Sequence, residues 1–167
     1  MTYIDLVRSR YSSRSYTDEP VSEGDMQSIL EAGRLAPTGK NSQPVTVIAV
    51  TSEDGFERIH KCSRTFGATL ALIVCCDRDR SWVRGFDGKN ISDIDASIVT
   101  TQMMYQATEL GLGTCWICWF DPAVISEEFG LPENVEPVNI LVVGHKADET
   151  SPNHGVRKPM EEFVRYA

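Results

Sequence analysis

Residues 92–119, SDIDASIVTTQMMYQATELGLGTCWICW, read as a long helix that stops at a pair of glycines and passes directly into a strand. Between about Asp93 and Leu110 the apolar residues Ile94, Ile98, Val99, Met103, Met104, Tyr105, Ala107 and Leu110 cover more than one stripe. A helix apolar over so much of its circumference is buried on more than one side. One side suits a central core, and the second suits a homodimer interface. Gly111 and Gly113 first look like a dinucleotide loop, but the third glycine of G-x-G-x-x-G would fall on Trp116. The helix-to-strand order is also the reverse of what such a loop needs. The glycines therefore mark a helix terminus followed by a buried strand.

Outward from this stretch, helix starts carry a repeated pattern of a hydroxyl followed three residues later by an acid. It occurs at Thr2/Asp5, Ser22/Asp25 and Ser92/Asp95. The first helix runs from Tyr3 to about Arg10. The second turns Met26, Ile29 and Leu30 inward and ends near Ala36, because Pro37 disfavours helical geometry in its predecessor. Strands are expected at Thr46–Thr51, Ala68–Cys76, Thr114–Trp119 and Val138–Gly144, with a polar loop or lid over Asp77–Asn90. Helices and strands are interspersed without strict alternation, which implies an α+β sandwich whose sheet is covered by helices. At 167 residues, with no repeat or linker, residues 1–167 read as one domain.

The balance of 16 basic against 24 acidic residues, a net charge of −8, argues against a nucleic-acid interface, so basic groups matter locally. Met1 leads into Thr2-Tyr3-Ile4-Asp5 rather than a basic segment and an apolar run, so no secretory signal is expected. No apolar run reaches about 18 residues, so no membrane partner is expected either. The 5 cysteines, Cys62, Cys75, Cys76, Cys115 and Cys118, are an odd number in a chain with an ample core. That favours reduced thiols and a cytoplasmic protein. Cys115 and Cys118 form C-x-x-C, yet residues three apart on a strand face opposite ways, and a thiol switch wants a helix start. Zinc would need a second pair, for which only His60-Lys61-Cys62 is suggestive; His145 and His154 lie in no ligand spacing. Cys75 and Cys76 read as buried strand residues. No metal site is expected.

Two polar segments flank the second helix. Arg10-Tyr11-Ser12-Ser13-Arg14 offers guanidinium and hydroxyl donors suited to a phosphate and a polyhydroxyl chain. Ala36-Pro37-Thr38-Gly39-Lys40-Asn41-Ser42-Gln43-Pro44 offers amides and hydroxyls for the polar edge of a planar ring. Each also has a plain reading, as solvated surface and as ordinary turn chemistry. Arg157 and Lys158 form a second basic point that could converge on the same anion. There is no Ser/His/Asp elbow and no outstanding carboxylate pair; Asp93 and Asp95 suit a helix N-terminus. A cofactor that brings its own chemistry fits a chain without an obvious catalytic side chain.

The ordered series R-x-S-x-R, A-P-T-G-x-N-x-Q-P, D-x-D-A-S-I, G-L-G-T-C-W-I, V-V-G and R-K-P-M-E-E-F-V resembles the FMN-dependent nitroreductase family across essentially the whole chain. The resemblance implies a nitroreductase-like α+β sandwich with a central mixed or antiparallel sheet, forming an intertwined homodimer with FMN at the subunit interface. It implies that Arg10, Ser12 and Arg157 hold the FMN phosphate, with Tyr11 contributing through its backbone. Arg14 matches the basic residue near the pyrimidine end of the flavin, where positive charge favours the anionic reduced form. Pro37, Thr38, Gly39, Asn41 and Gln43 match the segment that reaches the flavin from the neighbouring subunit. Trp116, Ile117 and Cys118 match the strand whose backbone lies along the isoalloxazine. The implied activity is ping-pong reduction of nitroaromatics, quinones or similar acceptors by NADH or NADPH. Alternatives are another reaction on the same flavin (reductive dehalogenation, enoyl reduction or flavin fragmentation) or a non-catalytic flavin-binding or redox-sensing module. Many members have Gly at Cys118, and Trp119 and Phe120 here add bulk that narrows the substrate space. Larger members carry a further helical excursion over the flavin that has no equivalent in this chain.

Overall fold

The computed structural model describes residues 2–167. The elements follow in the order α1 (Tyr3–Ser9), α2 (Glu23–Arg34), β1 (Val45–Val50), α3 (Glu53–His60), β2 (Leu70–Asp77), α4 (Ser92–Glu109), β3 (Gly113–Ile117), α5 (Pro122–Phe129), β4 (Val135–Gly144) and a single-turn α6 (Met160–Phe163). The strands form one sheet in the order β1-β2-β4-β3, and every pairing is antiparallel. The architecture is the expected α+β sandwich. No helix among the described residues is long and apolar enough to cross a membrane.

Strand β2 organises the core because all its residues from Leu70 to Cys76 are buried. Strand periodicity sends Leu70, Leu72, Val74 and Cys76 to the face that packs on Ile29 of α2 and Ala96, Val99, Met103 and Ala107 of α4. Ala71, Ile73 and Cys75 face the other way, onto Ile59 of α3 and Ile125 of α5. Each Leu, Ile, Val or Met side chain among these contributes about 1.5–3 kcal/mol by leaving water. Strand β4 begins three residues before the expected Val138 and contains Pro137, opposite Cys75 at a register shift after Val74. The irregularity accommodates a residue that has no N–H to donate, where β3 no longer pairs with β4.

Two of the three expected caps form. Thr2 and Asp5 make a reciprocal capping box on α1, and the Ser22 side chain accepts from Asp25 N–H on α2. The Ser92/Asp95 box does not form: Ile91 is the N-cap residue, without a side-chain cap, and Ser92 N–H is taken by Asn90 Oδ1 at 2.9 Å. Asp95 is buried and its carboxylate leaves the helix to accept the backbone N–H of Gly39 at 2.9 Å. A tertiary contact replaces the local one.

Helices α2 and α4 approach closely at Gly33, where an added Cβ would come 2.7 Å from Met103 Cγ. This contact brings the end of α2, and so residues 36–44, down onto α4. The second face of α4 remains open: Ile94 is exposed, and Tyr3 of α1 packs edge-on against Tyr105 with ring centroids 5.8 Å apart. Tyr3, Ile4, Leu110, Val156, Met160, Phe163 and Tyr166 are likewise exposed. Both the helix face and the C-terminal segment thus carry apolar side chains exposed to water.

Candidate cofactor-binding site

The N-terminal polar segment is laid along the outer edge of β3. Ser12 pairs with Thr114 in a parallel bridge, and Ser13 N–H donates to Thr114 O at 2.9 Å. A cleft of about 240 Å³ results, lined by Arg10, Tyr11, Ser12, Arg14, His154 and Arg157. The two basic points far apart in the chain therefore converge. His154 Nε2 donates to Arg8 O at 3.0 Å, and Arg157 Nη1 donates to His154 O at 2.6 Å, which fastens the C-terminal segment to α1. Among the described residues, no carboxylate forms an ion pair with Arg10, Arg14 or Arg157. Guanidinium groups gathered in a cleft, none of them in an ion pair among the described residues, suit a phosphate.

Asp148 builds this cleft and had no signal in the sequence. Its carboxylate accepts Arg14 N–H at 2.6 Å and the Ser13 hydroxyl, while its carbonyl accepts the Tyr11 hydroxyl at 2.8 Å. Partial burial raises its pKa, but the hydrogen bonds from Arg14 N–H and Ser13 outweigh this and hold the carboxyl below its usual value. A depressed folded-state pKa contributes stability above the unfolded value of about 3.9, and that contribution is lost as pH falls through the folded value. Asp148→Ala should cost about 1–2 kcal/mol in urea denaturation at neutral pH, discounted for partial exposure. The gap to the parent protein should close in acid below that range; a gap independent of pH would separate Asp148 from the tether.

The second polar segment is held under backbone strain. Lys40, Asn41 and Gln43 have φ of 51°, 55° and 48°, left-handed values that cost non-glycine residues about 1–2 kcal/mol each. Local hydrogen bonds hold the turn: Asn41 N–H to Thr38 O at 2.9 Å, Ser42 N–H to Gly39 O at 3.0 Å, and Gln43 N–H to Thr38 Oγ1 at 3.0 Å. Asp95 holds it from below, with its second oxygen buried and without a partner. Gly39 lets the turn approach closely: a Cβ there would push the Ile91 side-chain tip aside and crowd Trp82 Cβ at 3.2 Å. Strain concentrated on one turn makes it a candidate functional segment.

At the end of β3, Trp116 is half-buried, Ile117 buried and Cys118 exposed beyond the strand. Cys115 lies in the core, where burial pushes its thiol up; Cys75 and Cys76 are pushed up to about 12 by burial. Cys115 is buried and Cys118 is exposed past the strand end, so the two thiols occupy different environments.

Sheet order decides which site residues meet. Arg10, Tyr11, Ser12, Arg14 and Arg157 gather beside β3, whereas Pro37, Thr38, Gly39, Asn41 and Gln43 lead into β1 at the opposite edge. Three interstrand steps of about 4.8 Å separate the edge strands, roughly 14 Å. A single chain does not bring the two segments together.

The model of the Nitroreductase family matches residues 7–66 and 60–145. The crystal structure of a nitroreductase family protein from Clostridium difficile 630 aligns with a TM-score of 0.95 and 44% identity, covering 99% of this chain and 98% of that one. An FMN-dependent nitroreductase from Clostridium difficile R20291 aligns with a TM-score of 0.75 and 26% identity, covering 93% of this chain and 98% of that one. The FMN reductase (NAD(P)H) of Bacillus subtilis strain 168 is 33% identical over 162 residues, which cover 84% of this chain and 64% of that protein. The antiparallel sheet with its edge-laid arginine segment and the family match, spanning most of the chain, agree: this protein belongs to the nitroreductase family.

Proposed function

We propose that this protein is a homodimeric FMN-dependent oxidoreductase that draws electrons from NADH or NADPH and passes them to small-molecule acceptors such as nitroaromatics or quinones. The observation that carries the reading is the convergence of Arg10, Arg14 and Arg157, unpaired among the described residues, with Ser12 at the edge of β3. The relatives named FMN reductase and FMN-dependent nitroreductase support it. Five free thiols suit a reducing compartment such as the cytoplasm, and residues 1–167 act as one domain.

Arg10, Ser12 and Arg157 would bind the phosphate, and Tyr11 adds backbone polarity there while its hydroxyl is spent on Asp148. Arg14 places a positive charge where the reduced flavin is anionic. Backbone groups of Trp116, Ile117 and Cys118 would orient the ring. Bound FMN supplies the redox chemistry, accepting a hydride from the nicotinamide and giving electrons to the acceptor. Pro37, Thr38, Gly39, Asn41 and Gln43 of a second copy would complete the polar edge, held ready by Asp95. The open face of α4 and the exposed Val156, Met160, Phe163 and Tyr166 would pack against that copy and keep water from the site.

The protein should purify yellow or take up added FMN, and its visible absorbance should bleach on anaerobic addition of NADH or NADPH and recover with a quinone. A colourless protein that fails to take up FMN would overturn the reading.

A further inference from the structure

The polar connection expected over Asp77–Asn90 is a folded strap packed on the strained turn. Arg84 N–H donates to Lys89 O at 2.9 Å and Gly88 N–H to Arg84 O at 2.9 Å, while Arg84 pairs with Asp87 and Val83 bridges to Asn90. At the foot of the strap Ile91 N–H donates to Trp82 O at 3.2 Å, and the half-buried Trp82 lies against Gly39. The Trp82 ring takes the Lys40 ammonium over its face, with Nζ 5.9 Å from the ring centroid. Strap and turn are thereby joined through a cation–π contact.

Lys40 is exposed and forms no ion pair among the described residues. It is the only cation in residues 36–44. The flanking carboxylates Asp95 and Asp77 are engaged elsewhere: Asp95 accepts from Gly39 N–H, and Asp77 accepts from Asn134 Nδ2 and from the N–H groups of Asp79 and Arg80. On the strap, Arg78 is paired with Glu136 and Arg84 with Asp87. The backbone at Lys40 has φ of 51°, a value that glycine adopts without strain and lysine does not. In a chain of net charge −8, an unpaired positive charge is thus held on a strained turn by an aromatic ring.

We infer that Lys40 selects the nicotinamide donor: it holds the 2′-phosphate of NADPH bound at the second copy's flavin, and Trp82 keeps its ammonium in place. The inference rests on the proposed function, in which residues 37–43 complete the flavin site of the second copy. A nicotinamide stacked there must lead its diphosphate and adenosine out across the rim of the site, and Lys40 is the cation that this turn carries to the rim. NADPH and NADH differ only by the 2′-phosphate, which is largely dianionic at neutral pH, so one unpaired ammonium separates them. The donor gives its hydride to the flavin and departs as NADP+. Lys40 takes no part in that transfer, and no further reductant is required.

The test compares kcat/KM for NADPH with that for NADH on FMN-loaded protein, with one quinone as the fixed acceptor. The parent protein should favour NADPH. Lys40→Gln should lower the NADPH-to-NADH ratio about tenfold, chiefly through KM, Lys40→Glu should lower it further, and Lys40→Arg should keep most of it. Trp82→Leu, which retains an apolar side chain against Gly39, should lower the ratio by a smaller factor. Adenosine 2′,5′-bisphosphate should inhibit the parent protein more strongly than AMP, and Lys40→Gln should remove the difference. Rising ionic strength should erode the parent ratio as exposed charges are screened. In a mixed dimer of Lys40→Gln with Arg10→Ala, limiting FMN fills the cleft of the Lys40→Gln chain, which faces the intact Lys40 of the other chain, and the parent ratio should return. A parent ratio at or below one, a ratio unchanged in both Lys40→Gln and Lys40→Glu, or a mixed dimer that behaves as Lys40→Gln would overturn the inference and leave the flavin reading standing. Failure to bind FMN, seen before any donor is added, would overturn the flavin reading and this inference with it.

Discussion

Arg10→Ala and Arg157→Ala are each expected to weaken FMN binding by about 1.5–3 kcal/mol, roughly 10- to 150-fold in Kd, while leaving riboflavin binding close to that of the parent protein. Both guanidinium groups line the cleft at the edge of β3, and neither has a carboxylate partner among the described residues. A charge-assisted hydrogen bond to phosphate is what each would lose, and riboflavin has no phosphate. The double variant should lose less than the sum of the single losses, because both groups act on one anion. Quenching of flavin fluorescence on titrating apoprotein measures both ligands. Equal losses for FMN and riboflavin would mean that the cleft merely supports the fold, and no loss would remove the residue from the phosphate role.

Asp95→Ala is expected to destabilise the fold by about 1–3 kcal/mol, the cost of leaving the half-buried Gly39 N–H without its acceptor, and to weaken FMN binding as well. The effect on FMN follows from the strain at Lys40, Asn41 and Gln43: without Asp95 the left-handed turn loses the contact that ties it to α4. Asp95→Asn keeps an oxygen that can accept from Gly39 N–H and should recover most of both losses. The carboxylate's second oxygen is buried without a partner, so neutralising the side chain removes no hydrogen bond at that atom. Urea denaturation and FMN titration on the same variants provide the comparison. If Asp95→Asn is as poor a binder as Asp95→Ala, charge rather than the Gly39 contact is what matters.

The parts legible in the sequence are those where local chemistry and burial point the same way. The capped starts of α1 and α2, the stop before Pro37, the uninterrupted apolar run of β2 and the doubly apolar α4 all lie close to where the pattern puts them. Helices α3 and α5 were not announced by periodicity, because each is only 8 residues long and offers little more than two turns of pattern. Their caps were nonetheless written in the chain: Ser52 accepts from Gly55 N–H, and Asp121-Pro122 opens α5, which closes at Gly130 with φ of 63°. Asp95 misled because an acid three residues after a serine satisfies the capping pattern equally well whether it turns back to the helix or across to Gly39. Only tertiary packing chooses between these. Asp148 was invisible for the same reason, since its partners Ser13 and Arg14 lie more than 130 residues away. The two arginine points could be paired from sequence by charge alone, but their separation from residues 37–43 by the width of the sheet required the strand order.

Because of that separation, half of the proposed flavin site must come from a second copy. Sedimentation equilibrium of FMN-loaded protein, with flavin absorbance and protein mass read together, tests it most directly. The expected result is a dimer carrying one FMN per chain, with flavin dissociating as dilution or an Ile94→Asp substitution on the open face of α4 separates the subunits. A monomer that retains FMN at undiminished affinity would contradict it.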